Sequence, residues 1–278
     1  MLTTKRKQLN HGDSAHGDSA HGDSATDWLA RIDEAFAADR LRLYGQTIVR
    51  STTQDCGVSY PIAGCEVLLR LADSDGTSMN PSEFLLAVER LHMAERIDYF
   101  ILKSVVSQID SGSLLCPAGG RIFINFSGQS MSDSTFLTAA AELILSVPKA
   151  TAQLCIEITE THALENIEGI RQFIYRLKHA GCQFALDDFG SGFSSFACLK
   201  ALPVDYVKID GSFVLGVTEN PVDFAIVRSF SEIGQMMGKT IIAEWVETQV
   251  MAQQLRVIGI DWMQGHAFGR PMPLDTLT

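Results

Sequence analysis

Short apolar segments alternate with amphipathic segments along most of this chain. Six runs rich in β-branched and aromatic residues have the length of strands, and each is bounded by polar or glycine-containing turns. The predicted strands are 121–126, 154–159, 183–187, 205–210, 240–244 and 261–265. Amphipathic helices are predicted between them, for example over 167–179 and 222–237. A succession of strand, helix and strand produces parallel strands.

The amino-terminal half adds two further extended runs, at 41–50 and 60–71, with a predicted helix over 27–38 before them and helices from Pro81 and over 94–109 after them. Eight strands in a domain of about 250 residues favour a closed α/β barrel of the TIM-like (β/α)8 type over an open doubly wound sheet. The chain contains neither GxGxxG nor GxxxxGK[ST], the glycine-rich signatures of nucleotide-binding open sheets.

A polar repeat precedes the periodic part of the sequence. Residues 11–25 contain HGDSA three times, and alanine is the only apolar residue of each unit, so the segment cannot bury enough surface to offset its ordering entropy. We therefore predict a disordered tail over 1–25 and one folded domain over 26–278. The alternative is weak metal chelation by His11, His16 and His21, but a spacing of five residues fits no single helix face.

The overall charge and the cysteine pattern exclude several classes of protein. There are 22 Lys and Arg residues against 33 Asp and Glu, a formal net charge of −11, and no basic block, which argues against a partner made of long nucleic acid. The six cysteines are scattered without metal-finger spacing, as expected in a reducing compartment. No apolar run of about 18 residues predicts a membrane span, and no signal-peptide pattern follows the start, so a cytoplasmic location is expected.

Polar side chains interrupt the apolar strands near their carboxyl ends. They are Glu66, Asn125, Glu157, Asp187 with Asp188, Lys208, Glu244 and Gln264. In a parallel barrel these strand ends meet at one rim, where active sites are built. The carboxylates far outnumber Lys208, and oxygen ligands of this kind suit Mg²⁺ or Mn²⁺. The structural alternative is that Asp187–Gly190 is an ordinary turn and that Lys208 forms a salt bridge inside the barrel.

Seven segments, in order along the chain, carry a resemblance to a known family. They are EVLLR (66–70), NFS (125–127), EITE (157–160), DDFGSGFSS (187–195), KID (208–210), AEWVET (243–248) and QG (264–265). This series resembles the motifs of EAL-domain cyclic di-GMP phosphodiesterases, over roughly residues 41–273. The resemblance implies a TIM-like barrel with one antiparallel strand, two bound Mg²⁺ or Mn²⁺ ions, and hydrolysis of cyclic di-GMP to linear pGpG. It also implies a homodimer and a regulatory protein as a further partner.

The resemblance also assigns roles to individual residues. The implied metal ligands are Glu66, Asn125, Glu157 and Asp187 for one ion, and Asp187, Asp188 and Glu244 for the other. Glu244 is the implied general base, and Lys208 orients the attacking water. The implied contacts to substrate and to the metal shell are Gln46, Leu69, Arg70, Asp210, Glu247 and Gln264. Glu160 is expected to brace the loop over 188–195.

Four positions depart from the family pattern, although none removes an implied ligand. Thr47 replaces Pro, Val67 replaces Ala, Trp245 replaces Gly and His266 replaces Tyr. We expect Trp245 to lie in an extended strand and to face away from Glu244. Two alternatives to an active enzyme stay open. One is a non-catalytic module that binds cyclic di-GMP or a protein; the other is an unrelated TIM-barrel enzyme such as a sugar-phosphate lyase, which would not need Asn125 beside so many carboxylates.

Overall fold

Eight strands pair in a closed ring in the computed structural model, which describes residues 25–51, 60–72, 81–116, 119–163, 166–192 and 195–277. The strands of the ring are β1 (Leu41–Arg50), β2 (Ile62–Leu71), β3 (Arg121–Phe126), β4 (Leu154–Thr159), β5 (Gln183–Phe189), β6 (Tyr206–Ile209), β7 (Thr240–Ala243) and β8 (Trp262–Gln264). The strand β1 pairs with both β8 and β2, which closes the barrel. A short strand, β9 (Met272–Pro273), also pairs with β1.

The direction of the strands decides where the polar side chains meet. Strands β2 to β8 run parallel, whereas β1 is antiparallel to both of its ring neighbours. The prediction of a TIM-like α/β barrel with one antiparallel strand is therefore confirmed. The carboxyl ends of β2 to β8 form one rim, and the register aligns Asn125 with Glu157 and Gln46 with Glu66.

Twelve helices lie along the described part of the chain. They are α1 (Ala25–Ala37), α2 (Pro81–Arg90), α3 (Ala94–Ser111), α4 (Gly128–Ser132), α5 (Ser134–Ser146), α6 (Pro148–Gln153), α7 (Glu160–Ala163), α8 (Ile167–Lys178), α9 (Ser195–Ala201), α10 (Gly211–Val214), α11 (Pro221–Met236) and α12 (Gln249–Ile258). Their apolar faces pack on the outside of the barrel in one continuous core. No helix among these residues is long and apolar enough to cross a membrane.

A separate apolar layer fills the barrel interior toward the amino ends of the parallel strands. Its members are Ile48, Ala63, Phe123, Cys155, Ala185, Tyr206, Ile242 and Trp262. Phe123 packs edge to face against Tyr206 and Trp262, with the Phe123 and Tyr206 centroids 5.3 Å apart. Six of these residues stand two positions before a polar residue of the predicted site, so the period of two along each strand puts a polar layer directly above the apolar one.

The observed elements agree closely with the sequence pattern. Strands β3 and β4 have the predicted bounds, while β5 extends two residues beyond its predicted end, to Phe189. Gly181 and Gly238 end helical segments with φ of 105° and 68°, which glycine adopts without steric cost. The predicted tail over 1–25 lies outside the described residues, except for Ala25 at the start of α1.

Candidate active site

The polar layer forms a buried cluster at the carboxyl rim of the barrel. Its buried members are Gln46, Glu66, Glu157, Asp187, Asp188, Lys208, Glu244 and Gln264, and each is at most 3% exposed. Asn125 joins them from β3. These residues come from eight different segments of the sequence, one for each strand of the ring, and the barrel brings them together.

Lys208 lies at the centre of the carboxylates. Its Nζ atom is 2.8 Å from Glu157 Oε1, 2.8 Å from Glu244 Oε1, 3.1 Å from Asp187 Oδ1 and 3.6 Å from Glu66 Oε2. Burial by itself would lower the pKa of this amine, but the four carboxylates raise it well above its ordinary value. Lys208 is therefore positively charged in the folded protein. The salt bridge inside the barrel, which was the structural alternative for this residue, is present.

One ammonium is too little positive charge for this cluster. Counting Asp188, five buried carboxylates surround the single charge of Lys208. Buried charges without compensation are costly, so a set of this kind favours additional cations. The salt bridge therefore does not account for the whole cluster.

Amide groups orient the carboxylate of Glu66. Its Oε1 accepts a hydrogen bond from Asn125 Nδ2 at 2.6 Å, and its Oε2 accepts one from Gln264 Nε2 at 2.7 Å. Gln264 Nε2 is also 3.2 Å from Gln46 Oε1, and Gln46 Nε2 donates to the carbonyl of Gly269 at 3.2 Å. With the amide nitrogens used in this way, Asn125 Oδ1 and Gln264 Oε1 are buried and accept no hydrogen bond from the described residues. Both oxygens are suited to a cation.

A second group of oxygens lies on the β5 and β7 side of the rim. Asp187, Asp188 and Glu244 each offer a carboxylate oxygen, and these atoms all lie within 4.8 Å of one another. Asp188 has φ of 55°, a left-handed conformation that is uncommon for a residue with a side chain. This backbone turn gives two consecutive aspartates access to the same rim. Buried carboxylates at this spacing fit a divalent metal that prefers oxygen ligands.

Three other predicted residues lie against the cluster or its loops. Arg70 follows Glu66 on the same face of β2 and stacks over the Tyr44 ring, 5.7 Å from its centroid. Asp210 is 1% exposed and caps α10 by accepting from Ser212 N at 2.8 Å, while its Oδ2 is buried without a hydrogen bond from the described residues. Glu160 is buried, and its carboxylate lies so close to Gly192 that a side chain there would collide with it.

Two predicted residues do not join the cluster. Leu69 packs in the core between barrel and helices, on the opposite face of β2 from Glu66, so Leu68 rather than Leu69 shares the face of the site. Strict alternation counted from Glu66 would have shown this. Glu247 is exposed and lies near His266. The pKa of His266 is below its ordinary value because of burial and the charge of Arg270, and the charge of Glu247 offsets part of this decrease.

Asp98 is a buried acidic residue that the motif comparison missed. It projects from α3, accepts hydrogen bonds from Ser127 N and Ser130 Oγ at 2.7 Å each, and so holds the turn between β3 and α4 just after Asn125. Burial raises its pKa to about 6, against the hydrogen bonds from Ser127 and Ser130. The sequence did contain a signal for this buried position, because Asp98 lies on the apolar face of a predicted helix, among Ile97, Ile101 and Leu102.

Trp245 does not have the expected conformation. Strand β7 ends at Ala243, and Trp245 has φ of 53°, so the expectation that it lies in an extended strand is wrong. The ring is nonetheless buried, with 3% of the residue exposed, and it packs on Gly211 at the start of α10. The left-handed backbone explains why glycine, which the family pattern has at this position, is suited to it.

Curated proteins with similar sequences are described as phosphodiesterases. The chain is 38% identical over 252 residues to cyclic di-GMP phosphodiesterase PdeB of Shewanella oneidensis, covering 90% of this chain and 28% of the relative. It is 33% identical over 213 residues to cyclic di-GMP phosphodiesterase PdeF of Escherichia coli, covering 76% of this chain and 28% of the relative. The chain thus spans less than a third of the length of these relatives.

Solved structures agree in fold over almost the whole barrel. The PaMucR phosphodiesterase in complex with c-di-GMP superimposes with a TM-score of 0.80 at 27% identity, covering 90% of this chain and 99% of that one. An EAL domain protein from Listeria monocytogenes gives a TM-score of 0.78 at 27% identity, covering 93% and 97%. The family model of the EAL domain matches residues 29–271, which include every polar residue of the cluster. This chain belongs to the EAL domain family.

Proposed function

We propose that this protein is a metal-dependent phosphodiesterase that hydrolyses cyclic di-GMP to linear pGpG. The observation that carries the proposal is the buried set of five carboxylates with the carbonyl oxygens of Asn125 and Gln264 at the carboxyl rim. The relatives named cyclic di-GMP phosphodiesterases support the choice of substrate. No residue expected as a metal ligand is replaced, and this favours an enzyme over a non-catalytic receptor with the same fold.

Two groups of residues would hold two divalent cations, Mg²⁺ or Mn²⁺. Glu66, Asn125, Glu157 and Asp187 would hold one; Asp187, Asp188 and Glu244 would hold the other. The carbonyl oxygen of Asn125, which accepts no hydrogen bond from the described residues, and the 4.8 Å grouping of the second set support this division. When bound, the ions would supply Lewis-acid activation of water and neutralise the charge of the phosphodiester.

Glu244 and Lys208 would both act on the attacking water molecule. We assign Glu244 as the acceptor of the proton that the attacking water loses, and Lys208 as the donor that orients this water. Their side chains are 2.8 Å apart, so both can reach one small molecule. The water oxygen bonds to phosphorus, the bond from phosphorus to O3′ breaks, and O3′ takes up a proton from solvent and leaves as a hydroxyl. The linear product keeps a 5′-phosphate.

The remaining polar residues would hold the nucleotide and the loops. Arg70, half-buried and stacked on Tyr44, is placed at the end of β2 where its guanidinium can meet a phosphate or a guanine. Gln46, Asp210, Glu247 and Gln264 are assigned to the substrate and the metal shell, and Glu160 to bracing the loop after β5. Leu69 is left out of this set because its side chain belongs to the core.

Product analysis after incubation with cyclic di-GMP tests the proposal directly. We expect pGpG to form with Mg²⁺ or Mn²⁺, to form poorly with Ca²⁺, whose coordination is longer and looser, and not to form with a chelator. Glu157→Gln keeps the size of the side chain but removes its charge, and it should abolish turnover. Glu168→Gln is the matched control, because Glu168 is an exposed partner of Arg171 on α8.

Two outcomes would reject the enzyme. Full activity in the chelator would remove the metal ions from the mechanism. Binding of cyclic di-GMP without any pGpG, at every metal tested, would support the non-catalytic receptor. We also propose a homodimer and a regulatory protein partner; light scattering of the purified chain measures the first, and it should give twice the monomer mass.

A further inference from the structure

Trp245 occupies an unusual backbone position immediately after Glu244. Its φ of 53° is in the left-handed region, where a Cβ is crowded by the following carbonyl oxygen, and its side chain is nevertheless the largest one available. The residue is 3% exposed, so the surrounding packing holds the ring in place. Backbone strain of this kind persists only where neighbouring contacts overdetermine the conformation.

The indole ring packs against Gly211. A Cβ at position 211 would overlap Cγ and Cδ2 of Trp245, so the indole lies directly on the backbone at the first residue of α10. Gly211 is not among the residues with positive φ, and its own backbone would accept alanine. The missing side chain at 211 is thus required by the indole and not by the conformation of the chain.

Further contacts fix the segment from both sides. Glu244 N donates to the carbonyl of Ile209 at 3.3 Å, just before Asp210, and Val246 N donates to the carbonyl of Gln264 at 3.0 Å. A Cβ at Gly265 would overlap the backbone of Val246, so this side also has no free space. The indole is therefore a spacer between the end of β7 and the start of α10.

We propose that Trp245 and Gly211 form a matched pair that positions Glu244 relative to Asp210. The pair joins the two chain segments that carry these carboxylates, on the β6 and β7 side of the rim. The inference rests on the proposed function, because it gives the pair a consequence for cation binding at Glu244. Trp245 acts through Glu244 and is a positioning residue.

A double-mutant cycle with Mn²⁺ affinity as the readout tests the pair. Gly211→Ala should push the indole away and weaken Mn²⁺ binding, measured without substrate, by at least tenfold. Trp245→Gly should also weaken it, because the spacer is lost. In the Trp245→Gly background, Gly211→Ala should change the affinity by less than twofold, since the added methyl group now has room. Thermal unfolding in a chelator is recorded for each variant.

Gly234→Ala is the matched control. A Cβ at Gly234 would overlap Cδ1 of Ile241, so the same substitution crowds β7 at its opposite end. It should lower the melting temperature and leave the Mn²⁺ affinity within twofold. If Gly211→Ala behaves in the same way, with a change in stability only, the pair is ordinary core packing and the inference is wrong. Should Gly211→Ala fail to fold, Trp245→Phe provides the comparison, with weaker Mn²⁺ binding expected.

Failure of the inference differs from failure of the proposed function. If the parent protein binds no Mn²⁺ and forms no pGpG, the proposed function is wrong. If the parent protein binds Mn²⁺ and hydrolyses cyclic di-GMP but the variants at 211 and 245 bind Mn²⁺ as it does, only the positioning role is wrong. In that case, if the two substitutions change the melting temperature in the chelator non-additively, the result shows only that residues 211 and 245 pack against each other.

Discussion

Asn125 holds the carboxylate of Glu66 through a hydrogen bond of 2.6 Å from Nδ2 to Oε1. The two residues are 59 positions apart and lie on neighbouring parallel strands, β2 and β3. The carbonyl oxygen of the same amide is buried and accepts no hydrogen bond from the described residues. One side chain therefore orients a carboxylate with its nitrogen and offers a cation ligand with its oxygen.

Asn125→Ala should weaken Mn²⁺ binding at least tenfold, because it removes a proposed ligand and also releases Glu66. Isothermal titration of the metal-free protein measures this change. Asn166→Ala is the control: Asn166 caps α8 by accepting from Gly169 N, so its loss should cost about 1 kcal/mol of stability and leave the metal affinity unchanged. Equal Mn²⁺ affinities for parent and Asn125→Ala would remove Asn125 from the ligand set.

Lys208→Met should lower kcat by about 100-fold or more, as expected when an oriented proton-transfer site is lost. The Kd for cyclic di-GMP should change far less, because the proposed role of the ammonium is to orient the water. Stopped assays and equilibrium binding separate the two quantities. A loss of binding as large as the loss of kcat would assign Lys208 to anchoring the substrate.

The same substitution should destabilise the metal-free protein by about 3–5 kcal/mol, since it leaves buried carboxylates without their cation. Denaturant unfolding in a chelator measures this difference. Added Mn²⁺ should stabilise Lys208→Met more than it stabilises the parent, because the carboxylates of the variant have lost the positive charge of Lys208. Equal stabilisation by Mn²⁺ would contradict the proposal that Lys208 and the cations share these carboxylates.

Asp98 should make the stability of the protein depend on pH between about 4 and 6. Its pKa is raised from 3.8 to about 6 on folding, so the folded state binds the additional proton in this window. The free energy of unfolding should therefore fall as the pH rises through it, by roughly 3 kcal/mol for a shift of about two units. Other groups titrate in the same range, and the effect is measured as the difference from Asp98→Asn.

Asp98→Asn should lack this component of the pH dependence. Asparagine can still accept from Ser127 N, and the hydroxyl of Ser130 can turn to accept from the amide. Asp98→Ala leaves both donors without their acceptor and should cost about 1–3 kcal/mol at every pH. Parallel stability curves for the parent and Asp98→Asn from pH 4 to 6 would show that Asp98 does not titrate there.

Deletion of residues 1–24 should leave turnover unchanged and shift the melting temperature by less than the ~2 °C that about 1 kcal/mol produces in a domain of this size. The HGDSA repeats contain no residue larger than His and no apolar side chain beyond Ala, so they have little to bury. Calorimetry of the two proteins, with and without metal, makes the comparison. A loss of one bound metal ion on deletion would favour the chelating role of His11, His16 and His21.

The sequence by itself determined the fold class and most of the membership of the site. Its apolar runs have the length of strands, and a polar residue such as Glu157 or Asp187 stands out near the end of such a run. Because both signals are local, they are visible without any contact between segments. The alternation of faces along a strand, counted from Glu66, would also have shown that Leu69 faces the core, although the motif comparison placed it with the substrate.

The tertiary structure decided which of these residues touch and in what geometry. Lys208 meets four carboxylates from four other strands, and no local pattern specifies those distances, because they depend on the register around a closed barrel. The left-handed backbone of Trp245 and its contact with Gly211 could not be predicted either, since a short apolar run such as 240–244 predicts an extended strand. Residues 211 and 245 become neighbours only when β6 and β7 pair, and only that pairing shows why a glycine lies opposite the indole.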